Sequence, residues 1–215
     1  SFNVPMGTMI PKEVDDLIVA EKSISVSNLI NGATRLQPVV MQLGQAAGAL
    51  AALACIEDKG VKEIGVRQVQ EKLLEAGCYI MPYLDLPKSD PHFKALQRIG
   101  ATGVLRGEGR NVGWSNETWF RADEPLRGEE IYASELYGAI TVEPGEISVG
   151  RMLELVRSDG GRVPYGQLSD WWKQLGLNDF DTQRIATRLE AAVVIDAAFD
   201  PFGMFEVDYK GYFTR

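Results

Sequence analysis

The chain has one histidine and two cysteines in 215 residues. His92, Cys55 and Cys78 stand far apart and no C-x-x-C pair exists. That count excludes a thiol redox pair and a tetrahedral zinc site, so no metal ligand is expected. The two thiols read as inert buried side chains. Basic residues are also few: 22 Lys and Arg face 30 Asp and Glu, a net charge of −8. No Lys/Arg cluster reverses this locally, and an acidic surface repels phosphate backbones, so nucleic acid is not an expected partner. Long uninterrupted apolar runs are missing too. The best, residues 39–56, is broken by Gln42 and Gln45 and is rich in Gly and Ala. It reads as a helix packed tightly on protein, with no membrane span. An initiator methionine and a leader are absent from Ser1-Phe2-Asn3. The chain therefore reads as a processed form or a fragment, with any export signal upstream.

What is present is ordinary globular material, 45% hydrophobic and 24% charged, enough for one large or two small domains. Pro87-Lys88-Ser89-Asp90-Pro91 is the best break, dividing the chain into 1–86 and 87–215. In the first part, residues 17–20 are a short continuous apolar run, the pattern of a buried strand. Asn31-Gly32 signals a turn. Pro38 suits the first turn of a helix running to about Ile56, and a second helix is expected over 66–76, ended by Gly77. The expected fold class is α+β and mainly helical: a strand–loop–helix part, then a helical module with short strands.

In the second part, helices are expected over 92–99 (stopped by Gly100), 126–136, 147–156, 164–176 and 182–198, the last capped by Asp181. Trp119-Phe120 reads as a short strand. Gly107-x-Gly109-x-x-x-Gly113 is followed by turn-like Trp114-Ser115-Asn116, not by a helix, so it is loop geometry and not a dinucleotide fingerprint. His92 follows Asp90-Pro91 and has no recognisable partner for base catalysis; it reads as a helix-start residue. A weak internal repeat is visible, one copy over about 93–136 and another ending at Ala186-Thr187-Arg188-Leu189-Glu190-Ala191-Ala192. Trp114, Trp119, Trp171, Trp172, Tyr165, Tyr209 and Tyr212 read as core packing first and as a sugar-stacking surface second.

Arg35, Pro38, Met41 and Gly44-Gln45-Ala46-Ala47-Gly48 form an R-x-x-P-x-x-M-x-x-G-Q-A-A-G run after the apolar residues 17–20. This closely resembles the end of the FAD domain in a family of FAD-dependent oxidoreductases. The resemblance implies that the chain is the C-terminal part of a flavoprotein whose N-terminal dinucleotide-binding domain, the expected partner, lies elsewhere. It implies FAD in the parent, with cofactor contacts from Glu21, Asn31, Gly32, Ala33, Thr34, Arg35, Leu36, Gln37 and Pro38. Amides at the helix start would meet the pyrimidine oxygen, and Arg35 would meet negative charge on reduced flavin or an anionic substrate. Many relatives carry Gly where this chain has Glu21, with Lys22 beside it to neutralise the charge. The small side chains of residues 46–54 imply close approach by the dinucleotide domain's sheet.

Thr187, Arg188, Glu190 and Ala192 also resemble the core of the S-layer homology module, and the Leu126-Arg127-Gly128-Glu129 copy departs from it. If that resemblance extends to function, a wall polysaccharide would meet Arg127, Arg188 and Trp119, in an exported protein of the periplasm or cell surface. Relatives with this combination are sometimes labelled xanthan lyases, yet no Tyr/His/Asn set for β-elimination is recognisable. The function expected is thus the flavin-ring side of an oxidoreductase plus an appended module, the chain alone being inactive. The alternatives are a polysaccharide-binding module or a self-associating structural unit.

Overall fold

The computed structural model describes residues 2–132 and 142–214. The fold is α+β and mainly helical. It comprises two compact units: residues 2–78 with 205–214, and residues 79–204. The structure thus places residues 79–86 with the second unit and returns the end of the chain to the first.

In the first unit, Ser27 caps α1 (Asn28–Thr34) by accepting the Ile30 N–H at 3.3 Å. The expected Asn31-Gly32 turn lies inside this helix. The serine cap and the i→i+4 bonds of Asn31 and Arg35 outweigh the roughly 1 kcal/mol propensity cost of a helical glycine. α2 (Gln37–Glu57) follows, opened by Pro38 and closed at Asp58 in the left-handed region. Val40, Leu43, Ala47, Leu50, Leu53 and Ala54 form its buried stripe, packed with Met6, Met9, Ile10, Ile24, Val61, Ile64 and Val69. α3 (Val66–Glu75) closes this core with Val69 and Leu74 buried.

Residues 17–20 form no strand; the buried strand expected there is corrected. No strand pairs with them among the described residues, and a strand without a ladder has no source for its hydrogen bonds. Val19 N–H reaches Met9 O at 2.8 Å, and the run is only partly buried. α2 is also long and apolar enough to cross a membrane by length and composition, despite Gln42 and Gln45, and 28% of its most apolar window is buried.

In the second unit, α4 (Phe93–Thr102) runs through Gly100 and stops at Gly103, φ 76°. Gly100 is internal because the Tyr83 ring occupies the space of its missing side chain. β1 (Glu108–Val112) and β2 (Ser115–Trp119) pair antiparallel, Glu108 opposite Trp119. The glycine run lies in this hairpin, with Gly113 at φ 58° in its turn. α5 (Val149–Ser158) is shifted two residues along from its expected segment, and α6 (Leu168–Gln174) falls within its own.

α7 (Arg188–Phe199) starts later than expected. Thr187, not Asp181, is its cap, in a reciprocal box with Glu190 at 3.2 and 2.8 Å. It is buried almost all round and packs against α4 and α5. Short α8 (Pro201–Met204) ends the unit.

Residues 182–184 form a turn, and residues 185–187 are extended because they enter a three-way ring. Pro125 bridges Thr187, Arg127 bridges Glu146, and Ser148 bridges Ile185. The residues between them close a cycle: Leu126 N–H to Ala186 O (2.8 Å), Ala186 N–H to Ile147 O (2.9 Å), Ile147 N–H to Leu126 O (3.0 Å). The helix expected over 126–136 is therefore extended at Leu126, and a 3-10 turn follows at Gly128–Glu130; its residues 133–136 lie outside the described residues. The repeat has three copies of this step rather than two. The middle copy, Glu146-Ile147-Ser148-Val149, does not share the T-R-x-E spelling and shows itself only by its pairing. Glu129 ties the first copy to the second by accepting Gly145 N–H at 2.8 Å. That bond, with Arg127 at 2.7 Å, holds its carboxyl down to about 2.

In the first unit again, β3 (Glu206–Val207) and β4 (Phe213–Thr214) form a small antiparallel hairpin.

Candidate functional site

The end of α1, the two residues after it and the first turn of α2 carry most of the expected cofactor residues. Asn31 Oδ1 is buried and has no hydrogen-bond partner among the described residues. Space beside Gly32 is open; nothing lies within 4 Å of where a side chain would begin. Ala33 is exposed. Thr34 is buried and its hydroxyl donates to Ile30 O at 3.4 Å, so it serves the helix. Arg35 is exposed, and its guanidinium has no ion-pair or hydrogen-bond partner among the described residues. Leu36 is the α2 cap residue and supplies no side-chain bond. Gln37 and Pro38 are exposed. The first amides of a helix have no carbonyl of their own helix to meet. At α2 they meet no side chain either, and the helix dipole adds partial positive charge there.

Glu21 opens a 3-10 turn, Glu21–Ser23, that packs against α1 and α2. Its φ is 58°, the left-handed region that glycine occupies freely and a glutamate does not. The backbone thus holds a glycine-type conformation while the residue is acidic. Neither Glu21 nor Lys22 has a partner among the described residues, so the expected neutralising pair does not form. Local spacing could not reveal that backbone; only the resemblance pointed to position 21.

The polysaccharide residues fare differently. Arg188 is 4% exposed and donates to Phe120 O at 3.0 Å and Arg106 O at 2.8 Å, with Glu130 paired at 2.8 Å. Its charge is spent inside the unit, which corrects the expectation that it meets a polymer. Arg127 is exposed and paired with Glu129. Trp119 is half-buried, its indole N–H donating to Glu117 at 3.0 Å. The fully exposed aromatics are instead Trp114 at the hairpin turn and Tyr165.

His92 sits at the start of α4, its N–H on Asp90 at 2.7 Å and its Nε2 on Leu175 O at 3.1 Å. Among the described residues no group of three His, Cys, Asp or Glu could hold a metal ion. Cys78 is half-buried and accepts from Gln45 at 2.9 Å. Cys55 is exposed on α2, which corrects its reading as a buried thiol: helical spacing puts it off the buried stripe.

Residues 1–73 match the family described as FAD dependent oxidoreductase. The matched flavin-family segment covers α1, α2 and most of α3, and so contains every residue of the α1–α2 site. It supports reading this segment as part of a flavin-dependent oxidoreductase, a family that implies FAD in the parent. No curated protein and no solved structure matches the chain. Nothing that matches carries S-layer homology repeats or a xanthan lyase.

Among the described residues, the groups left without a partner here are the buried Asn31 amide oxygen, the exposed Arg35 guanidinium and the first amides of α2, which are the donor and acceptor types that a ring edge of alternating N–H and carbonyl groups would need.

Proposed function

We propose that the first unit supplies the flavin-ring side of an FAD site in an oxidoreductase. What supports this reading is the set of unspent polar groups on α1, at Arg35 and at the start of α2, within the segment that matches the flavin family. Asn31 Oδ1 would accept a ring N–H, the α2 amides would donate to a ring carbonyl, and Arg35 would favour the anionic reduced ring. The flavin, when bound, supplies two-electron hydride chemistry. This chain's part is to orient the ring and stabilise its charge. A dinucleotide-binding domain would hold the adenosine diphosphate and cover the exposed α2 face, where Met41 and Ile56 are 74% and 80% exposed.

Titration with FAD, followed by flavin fluorescence, tests the reading. Saturable quenching is expected, weakened about tenfold by Arg35→Ala, the loss of one charge-assisted contact. No quenching, or quenching indifferent to Arg35→Ala, overturns it.

A second reading concerns residues 79–204: a polysaccharide-binding role, carried by exposed Trp114 and Tyr165 rather than by Arg188. Calorimetry with an acidic polysaccharide should give heat that Trp114→Ala abolishes; no heat with the parent chain sinks it.

A further inference from the structure

The chain passes between its units twice, at 78–79 and at 204–205, so residues 79–204 are an insertion within the first unit. We propose that the returning segment, residues 205–214, is a clasp that closes the flavin-family unit, with Glu206 as its pin. The inference is independent of whether that unit holds flavin.

The segment is built before it docks. Glu206–Val207 pairs with Phe213–Thr214, and the Asp208 carboxylate accepts both Lys210 N–H and Tyr212 N–H at 2.9 Å across the turn. It then enters two seats in the matched segment. At the first, Glu206 Oε1 accepts Arg67 N–H at 2.9 Å, filling one of the orphan amides at the start of α3. A side chain at Gly65 would overlap this carboxylate, so glycine there is what admits the pin. At the second, the Tyr209 carbonyl lies 2.6 Å from where a side chain on Gly7 would begin. Tyr209 itself packs on the core of Met6, Met9 and Leu50. Two glycines and one helix start, distant in the sequence, are therefore all used by ten residues from its other end.

Hydrogen exchange on the full chain tests the clasp. In Glu206→Ala and in Gly65→Ala, peptides covering 6–9 and 66–69 are expected to exchange about tenfold faster, the loss of one charge-assisted bond. Tryptic cleavage after Lys210 should rise by a similar factor. All four tryptophans lie in 79–204, so unchanged tryptophan fluorescence shows that the inserted unit remains folded. Glu206→Gln keeps an acceptor at Arg67 and should restore most of the protection. Unchanged exchange at 6–9, equal loosening by Gln and Ala, or equal loosening of 79–204 overturns the proposal.

Discussion

The two units treat their polar groups in opposite ways. In residues 79–204 the buried Arg188 meets two carbonyls and a carboxylate, and the buried Gln97 accepts from Ile80 and Met81 and donates to Met81 O. In the first unit, Asn31 Oδ1 and Arg35 have no partner among the described residues, and α2 begins without a side-chain cap. The apolar groups follow suit. α7 is buried nearly all round, whereas α2 leaves Met41, Cys55 and Ile56 exposed. A polar group left unpaired costs free energy, so its persistence marks where something else binds. The sharpest contrast is between Arg188, spent inside the inserted unit, and Arg35, exposed in the first.

The largest test of that contrast pairs two arginines. Arg188→Ala leaves two carbonyls and Glu130 unmet in a buried place, and should lose about 3–5 kcal/mol in urea unfolding followed by tryptophan fluorescence. Arg35→Ala should change stability by less than about 0.5 kcal/mol, because nothing in the chain depends on it. A large loss from Arg35→Ala would show that the site is structural, and the contrast would fail.

Tyr83 is one exception within the inserted unit, as are the Nε atoms of Arg121 and Arg157, and the tyrosine sharpens the comparison. Its ring fills the space beside Gly100, and its buried hydroxyl has no partner of normal hydrogen-bond geometry among the described residues. Gly100→Ala should cost about 1–3 kcal/mol through overpacking, whereas Tyr83→Phe should be neutral or slightly stabilising. Burial pushes the phenol up to about 12, with the Arg188 charge opposing. The folded state therefore keeps the proton longer than the unfolded one, whose phenol titrates near 10. Stability should fall as pH rises from about 10 to about 12. Tyr83→Phe should remove that part of the alkaline loss; an unchanged alkaline limb would show the phenol ionises freely in the fold.

The smallest effect lies at Glu21. Replacing a left-handed glutamate by glycine should stabilise the flavin-family unit by about 1 kcal/mol, seen as slower exchange in residues 17–26. It should also tighten FAD if the acidic side chain opposes the ring. Destabilisation by Glu21→Gly would mean that the glutamate has a role the present contacts do not include.

Much of the helical framework was readable from local pattern. Pro38 and the Gly/Ala run marked α2, Val66 to Gly77 marked α3, and the first helix of the inserted unit fell near its expected place. Those readings rest on propensity and caps, which are properties of neighbouring residues. The Arg35–Gly48 run likewise carried the family resemblance in its own letters.

Three things were decided only by packing. Residues 17–20 look like a strand, but a strand needs a partner ladder, which a run of four residues cannot announce. The start of α7 moved from Asp181 to Thr187 because Ile185 and Thr187 are drawn into the three-way ring with Ser148 and Pro125. The seats of Glu206 and Tyr209 at Gly65 and Gly7 join residues more than a hundred positions apart. By itself the sequence determined α2 and α3, the net negative charge and the segment that matches the flavin family. Tertiary structure decided which arginine is spent and which is free, because pairing depends on what the fold brings within 3 Å, and spacing along the chain does not contain that distance.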